Sequence, residues 1–494
     1  MSRKLPIFYS ALLLTGVNLL LRFVGTSFQV YLSARIGAEG IGLLQLVMSV
    51  GSLSMVAGMA GIRTATMYLT AEELGKNRPG NTKWVLSGCL GYSVLCSGAV
   101  AMLVYVFAPY LAESWIRNAD TLQAIRLFSL FLPVNCLTGV MVGYFTGANR
   151  IGTLAAVEVA EQGCSMVCTL SLLHFWAEES AALCCQAVVL GSGLSSCLTL
   201  LCLTVLRLLE RRKAGPRIPI ARRLVDVAVP LALADDLKTG INTVENLMVP
   251  RRLAMYTGIL SPLAAFGIIS GMVFPILMFP ACILYGLAEL LIPELARCAA
   301  AGSRMRIRYL VRRSIRLAAL YGALFSGLMF LTAEGLCMRF YESTEAGQQL
   351  RLYALLIPML YCDAIVDAMT KGLGQQKKCV KYNIFTSTLD VIFLYILLPK
   401  YGMTGYFISF FVTHLINFLL SLRCLLKITG LRLPLRMPVL AFGSVAAAVW
   451  MVSHAATGQA FLYIIVLGCL LSLTGILRRS DIRWVKGLIL RAKT

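Results

Sequence analysis

A stripe of charged and polar side chains interrupts the apolar segment from Leu224 to Arg252. Its members are spaced three, four and three residues apart, so a helix places them on one face. They are Asp235, Lys238, Asn242 and Glu245, with Asp236 beside the first. A charge at the centre of a bilayer costs about 2.5 to 3.5 kcal/mol. The stripe therefore predicts a substrate or ion path, and its alternative is local ion pairing of Lys238 with Asp235 and Glu245.

Cations also occur within two other apolar segments. The first predicted helix carries Asn18, Arg22 and Gln29 on one face, with Arg22 near its middle. Arg63 lies nearer the end of the second helix, where snorkelling towards the membrane surface is the alternative to a binding role. Because guanidinium and ammonium groups bind phosphate, these cations and Lys238 predict a site for an anionic headgroup. Arg251 and Arg252, at the end of the charged segment, are further candidates.

Two pairs of acids are candidates for the same cavity or for ion coupling. Glu158 and Glu161 are three residues apart, and Asp363 and Asp367 are four apart, so each pair shares one helix face. A carboxyl group within a membrane segment can bind a proton or a cation. A hydrogen-bonded structural role for Glu158 and Glu161 is the open alternative.

The composition is that of a polytopic membrane protein. Of the 494 residues 58% are apolar and 14% are charged, and we predict an all-α fold. The net charge of +22 comes from basic residues in every second loop rather than from one surface, which argues against nucleic acid as a partner. Sixteen scattered cysteines without a C-x-x-C motif, and three distant histidines, predict no metal site. Patterns for ATP hydrolysis or hydrolase chemistry are absent, so no catalytic residue and no enzyme activity are predicted.

Fourteen apolar segments are long enough to cross a bilayer. They are 7–32, 43–70, 84–109, 122–146, 152–176, 181–206, 224–248, 262–292, 309–333, 350–372, 379–398, 403–426, 437–456 and 460–478. The alternate loops that share a side with both termini hold 33 Lys and Arg residues, against 7 on the other side. The positive-inside rule therefore predicts that both termini are cytoplasmic.

A faint internal repeat predicts two related lobes. Pro133 precedes Gly147 by fourteen residues, as Pro358 precedes Gly372, at an offset of six predicted helices. An even number of helices preserves orientation, so the lobes would be parallel repeats. We predict an N-terminal lobe at 1–213 with a basic linker to about 223, a C-terminal lobe at 224–430, and two added helices with a basic tail at 431–494.

Several short motifs occur in a characteristic order along the chain. They are Leu21-Arg-Phe-Val-Gly, Ala38-Glu-Gly-Ile-Gly-Leu-Leu-Gln-Leu, Gly143-Tyr-Phe-Thr-Gly, Ala160-Glu-Gln, Val249-Pro-Arg-Arg-Leu and Lys400-Tyr-Gly-Met-Thr-Gly. Together they resemble the stage V sporulation protein B type of polysaccharide transporter, in the multidrug/oligosaccharidyl-lipid/polysaccharide (MOP) exporter superfamily. The resemblance implies two six-helix bundles forming a V around a central cavity, plus two extra helices. Phe28-Gln29 replaces the Arg-Asp pair of the related lipid II flippases.

The resemblance implies a flippase of the bacterial cytoplasmic membrane. Its expected cargo is a lipid-linked oligosaccharide or wall precursor on an undecaprenyl-type carrier, moved to the outer leaflet by alternating access, in spore cortex or polysaccharide synthesis. We expect no cofactor, leave coupling to H⁺ or Na⁺ open, and expect a monomer that also contacts anionic membrane lipids. The alternative is a cation-coupled multidrug antiporter of the same superfamily, whose first helix usually carries an acid where this chain has Arg22.

Overall fold

The computed structural model describes residues 7–76, 78–176, 181–209, 220–431, 436–453 and 459–474. Every regular element in these ranges is helical. The helices are α1 (Ile7–Met59), α2 (Ile62–Gly75), α3 (Thr82–Tyr110), α4 (Leu122–Gly147), α5 (Ile151–Trp176), α6 (Ala181–Leu208), α7 (Ala221–Leu253), α8 (Pro262–Gly267), α9 (Phe274–Met278), α10 (Ala281–Ala300), α11 (Arg304–Tyr341), α12 (Thr344–Ala354), α13 (Ile357–Gly372), α14 (Gln376–Thr429), α15 (Arg436–Ser453) and α16 (Gln459–Leu473). The predicted all-α membrane fold is confirmed.

Breaks in the backbone explain how the sixteen described helices correspond to about fourteen predicted spans. Gly37, at φ 73°, divides α1 into the first two spans, and Gly402, at φ 54°, divides α14 into two more. Only glycine adopts such angles at little cost, so each break follows from the sequence. The pair of α8–α9 with α10 bends by 64°, and the pair of α12 with α13 bends by 58°.

Length and apolar composition alone identify six described helices that can cross a membrane, or up to eight when each bent pair counts as one span. Two of these six, within Leu19–Leu74 and Gln376–Thr429, each contain two predicted spans. The charged helix α7 is outside that set, because its stripe lowers its hydropathy. The chain is therefore a multi-pass membrane protein.

Contacts between residues divide the chain into two units. The first contains the described residues of 1–271 and 387–406, and the second those of 272–386 and 407–494. The lobes predicted at 1–213, 224–430 and 431–494 stay a prediction. Each unit is described below by itself.

Glycines allow close backbone contact within the first unit. A Cβ at Gly42 would collide with the carbonyl of Leu263, and one at Gly61 would collide with the carbonyl of Ala228. Gly61 also has φ 70°, at the break between α1 and α2. These contacts join the second half of α1 to α8, and the start of α2 to α7, so α7 has a fixed neighbour along the chain's second span.

An ionic network joins the end of α2 to the start of α7. The guanidinium of Arg223 donates to Glu72 Oε2 at 2.7 Å and to Glu73 Oε1 at 3.0 Å. Glu73, which is only 2% exposed, also accepts from Asn81 Nδ2 at 2.9 Å. A buried carboxylate needs such partners, because removing one typically costs about 3 to 5 kcal/mol.

The second unit is held together by tyrosine hydroxyls that donate to backbone carbonyls. Tyr361 donates to Leu277 at 2.8 Å, and Tyr463 of α16 donates to Ala323 of α11 at 3.0 Å. Both rings are almost completely buried. The described parts of the last two helices therefore pack on α11 within this unit.

Candidate functional site

The predicted stripe on α7 is accessible along most of its length. Asp235, Lys238 and Asn242 are exposed, and Glu245 is half-buried. Among the described residues, no ion pair joins Lys238 to Asp235 or Glu245. The local pairing considered as the alternative is therefore wrong. Three of the four predicted side chains are therefore exposed on the surface of α7.

Glu245 has another carboxyl group as its partner. The charge of Asp390 of α14 acts on it, and Asp390 is only 5% exposed. The two acids are therefore neighbours within the first unit. The sequence pattern did not single out Asp390 as a site residue. Asp390 is far from Glu245 in sequence, so neither periodicity nor spacing could pair them.

The turn of α7 that carries Glu245 is fixed to α1. Thr243 Oγ1 donates to the carbonyl of Ser49 at 3.1 Å, and Asn246 Nδ2 donates to Ser49 Oγ at 3.0 Å. Both contacts come from residues adjacent to the stripe. They fix the rotation of α7 about its own axis, so Glu245 is held towards α14.

Asp236 lies off the exposed stripe and is half-buried. Its charge acts on Tyr92 of α3, and the neighbouring carboxylate of Asp235 acts on it. Its Oδ1 atom is buried without a hydrogen-bond partner in the described part of the chain. This unsatisfied oxygen marks a position where a proton or a bound group would lower the free energy.

The polar face of the first span includes Arg22, whose side chain is exposed, and Gln29, which is half-buried. The side chain of Asn18 lies outside the described residues. Arg22 belongs to the same unit as the α7 stripe. The guanidinium of Arg22 is therefore exposed in the same unit that carries the stripe.

Arg63 lies near the acids on α5. The charge of its exposed guanidinium acts on both Glu158 and Glu161. Glu161 also accepts from Ser196 Oγ of α6 at 3.3 Å, and its backbone carbonyl accepts from Ser195 Oγ at 2.6 Å. The structure thus brings together one predicted cation and two predicted acids, and hydrogen bonds to α6 hold the acid helix.

The remaining predicted residues lie in two other places. Arg251 and Arg252 are about 20 Å along α7 from Lys238, at a rise of about 1.5 Å per residue. In the second unit, Asn417 Nδ2 donates to both oxygens of Asp363, at 3.1 and 3.4 Å, and Lys371 pairs with Asp367 at 2.6 Å. Among the described residues, no group of three or more His, Cys, Asp or Glu side chains forms a metal site.

Sequence comparison shows which known proteins this membrane protein resembles. A family model described as MatE matches residues 15–170. Stage V sporulation protein B of Bacillus subtilis is 22% identical over 409 residues, which cover 80% of this chain and 78% of that protein. The chain is similar to stage V sporulation protein B over most of its length, and its N-terminal part contains the segment that matches the MatE family model. The resemblance predicted from its motifs is confirmed.

Solved structures of two membrane transport proteins have the same fold. The lipid II flippase MurJ, in an inward closed conformation, has a TM-score of 0.68 at 14% identity, over 93% of this chain and 98% of that chain. An inward-facing multidrug resistance MATE family transporter of the MOP superfamily has a TM-score of 0.67 at 14% identity, over 90% and 100%. At this identity the likeness establishes the fold, and the cargo must be argued from the site.

Proposed function

We propose that this transporter is a flippase for lipid-linked oligosaccharides or wall precursors, and that it moves the glycan and its phosphate groups across the cytoplasmic membrane by alternating access. The observation that carries the proposal is the accessibility of Arg22, Arg63 and Lys238 within membrane spans of one unit. Three accessible cations favour an anionic headgroup over a cationic one. The relatives in sporulation and lipid II transport support the same class of cargo.

The proposed roles follow from charge. The guanidinium of Arg22 and the ammonium of Lys238 bind the phosphate groups, while Asn18, Gln29, Asn242 and Asp235 contact the polar glycan. The lipid tail stays in the bilayer, where its burial costs nothing. The positive-inside bias places both termini in the cytoplasm, so loading occurs at the inner leaflet. No second subunit is required by this scheme, and we propose a monomer.

The coupling ion in this proposal is a proton carried by Glu245 and Asp390. Two carboxyl groups in contact hold one proton firmly and release it only when an opening of the site admits water or a cation. A sodium ion held between the two carboxylates is the other possibility. Imposing a pH gradient and a sodium gradient separately on proteoliposomes distinguishes the two ions.

The test of the function is transport of a fluorescent polyprenyl pyrophosphate sugar by the purified full chain in proteoliposomes. Wild-type protein is expected to move the probe to the opposite leaflet. Arg22→Ala is expected to abolish transport at an unchanged level of folded protein, and Arg339→Ala, an exposed cation of the second unit, is the matched control. Full activity of Arg22→Ala removes Arg22 from the binding site, and no transport by wild-type protein overturns the proposed cargo.

A second candidate function is cation-coupled export of cationic drugs, which the likeness to a multidrug resistance transporter supports. Arg22 on the first helix opposes it, because a guanidinium in the path repels a cationic drug. Resistance of a drug-sensitised host that expresses the chain would favour this function. Unchanged drug sensitivity together with glycan lipid transport would exclude it.

A further inference from the structure

A pocket at the end of α7 gathers cations that the transport site does not use. It is a cavity of about 520 Å³ in the first unit. Arg117 lines it from the connection between α3 and α4, and Arg251 and Arg252 line it from α7. On the predicted topology these are three of only seven basic residues on the outer side of the membrane, and they come from two separate loops. The positive-inside rule concerns how many cations lie on each side of the membrane, so it does not explain why cations from two loops line one pocket.

No carboxylate of the described residues balances these three charges within the pocket. None of its lining residues is acidic, and Glu113 and Asp120, the acids of the same connection, are exposed outside it. The charge that acts on Arg251 is that of Arg117, which is also positive. Like charges repel, so their proximity in a partly desolvated pocket favours a bound anion.

Arg251 organises the pocket. It donates to the backbone carbonyls of Ser114 and Trp115, the latter at 2.6 Å, in the π-helical segment Leu111–Ile116 that ends at Arg117. Its Nε atom is buried and has no hydrogen-bond partner among the described residues. One guanidinium therefore fixes the segment that presents the next guanidinium.

The third cation and the walls of the pocket indicate an amphiphilic ligand. The guanidinium of Arg252 lies over the ring of Tyr395, 3.3 Å from its centroid, which holds it in place. Apolar side chains stand beside the charges, and Val244 and Met255 are more than half exposed. A soluble phosphate would leave these surfaces in water, whereas a lipid phosphate would cover them with the start of its hydrocarbon chain.

We infer that this pocket binds the phosphate of a phosphate-headed lipid in the outer leaflet, the class to which the polyprenyl carrier of the proposed cargo belongs. The outer location and the link to transport rest on the proposed function. The pocket would receive the phosphate end of the lipid as it leaves the path between Arg22 and Lys238. The binding chemistry is that of charge-assisted hydrogen bonds from guanidinium groups to phosphate oxygens.

Binding of farnesyl phosphate to the purified full chain in detergent tests this inference, with farnesol and inorganic pyrophosphate as comparison ligands. Wild-type protein is expected to bind farnesyl phosphate more tightly than either. Arg117→Gln and Arg252→Gln are each expected to weaken binding about tenfold, the effect of one charge-assisted hydrogen bond. Arg339→Gln makes the same change of charge outside the pocket and is expected to change binding less than about twofold. Arg251 is not substituted, because it donates to the backbone carbonyls of Ser114 and Trp115 and its loss would also change the shape of the pocket.

The inference would be overturned by equal affinity for farnesol or by an equal loss of binding in Arg339→Gln. Unchanged affinity in the protein that carries both Arg117→Gln and Arg252→Gln would overturn it as well. Pyrophosphate binding as tight as that of farnesyl phosphate would also overturn it, because the ligand would then be a free anion. Transport is measured separately. Binding at the pocket without glycan lipid transport overturns only the proposed function, and transport without binding overturns only the pocket.

Discussion

Two acidic pairs in the first unit have opposite surroundings. Glu158 and Glu161 are one turn apart on α5, where the charge of Arg63 acts on both and Ser196 donates to one. Glu245 and Asp390 come from two helices, and the charge of Asp390 acts on Glu245. Two neighbouring carboxylates repel each other, so a proton bound to this pair would remove the repulsion. The partner of an acid, rather than its presence in a span, decides whether it can exchange a proton.

The largest expected effect comes from removing titration in the second pair. Glu245→Gln and Asp390→Asn preserve size and hydrogen bonding but leave a group that cannot be deprotonated. Each is expected to lower transport driven by a pH gradient about a hundredfold or more, with normal protein levels in the membrane. Uptake of the fluorescent lipid by proteoliposomes measures this. Glu334→Gln, which removes an exposed acid paired with Arg351 in the second unit, is the control.

Retention of pH-driven transport by both single variants would contradict this prediction, because the two acidic pairs would then be equally dispensable for proton coupling. Loss of transport together with loss of folded protein would instead assign the second pair a structural role. Thermal unfolding of each variant, followed in detergent, distinguishes these outcomes.

The next largest effect is expected at Arg63. Arg63→Gln removes the positive charge that acts on Glu158 and Glu161, which is expected to destabilise the protein by about 1 kcal/mol, because the guanidinium is exposed. The double variant with Glu158→Gln removes the excess charge and is expected to recover most of that stability. Unfolding temperatures measure both. Failure of the second change to compensate would show that the first acidic pair is not balanced by Arg63.

The smallest effect is expected at Ser196. Ser196→Ala removes one hydrogen bond of 3.3 Å to Glu161 and is expected to cost about 1 kcal/mol or less, with transport retained. Ser192→Ala makes the same change on the same helix, where the hydroxyl donates to the carbonyl of Val189, and it provides the reference for loss of a serine hydroxyl. If only the Ser196 variant lost transport, Glu158 and Glu161 would have a role in transport rather than a structural role.

The fold was largely predictable, because the bilayer requires apolar spans whose length can be read from composition. The breaks at Gly37 and Gly402 required backbone angles that glycine tolerates, but many other glycines in the chain do not break their helices. The internal repeat of a proline fourteen residues before a glycine shows what sequence spacing alone cannot predict. Pro133 lies within the continuous helix α4, whereas Pro358 immediately follows the 58° bend before α13. The same spacing therefore has different consequences in different packing.

The candidate site was predictable in its residue types and only partly in its contacts. The face shared by Asp235, Lys238 and Asn242 follows from helical period, and their exposure agrees with it. The partner of Glu245 did not follow, because tertiary packing brings Asp390 from a distant helix. Arg117 was missed for a similar reason. A single arginine in a short loop carries no signal until α7 places two more beside it.

The network of Arg223 with Glu72 and Glu73 has a practical consequence for engineering. It positions the start of α7 through ion pairs with the end of α2, which do not involve the chain between α6 and α7. A fluorescent domain inserted there, or two separately expressed fragments divided there, is expected to yield an assembled transporter. The chain thus offers a place to attach a reporter on the predicted cytoplasmic side without touching the path of the cargo.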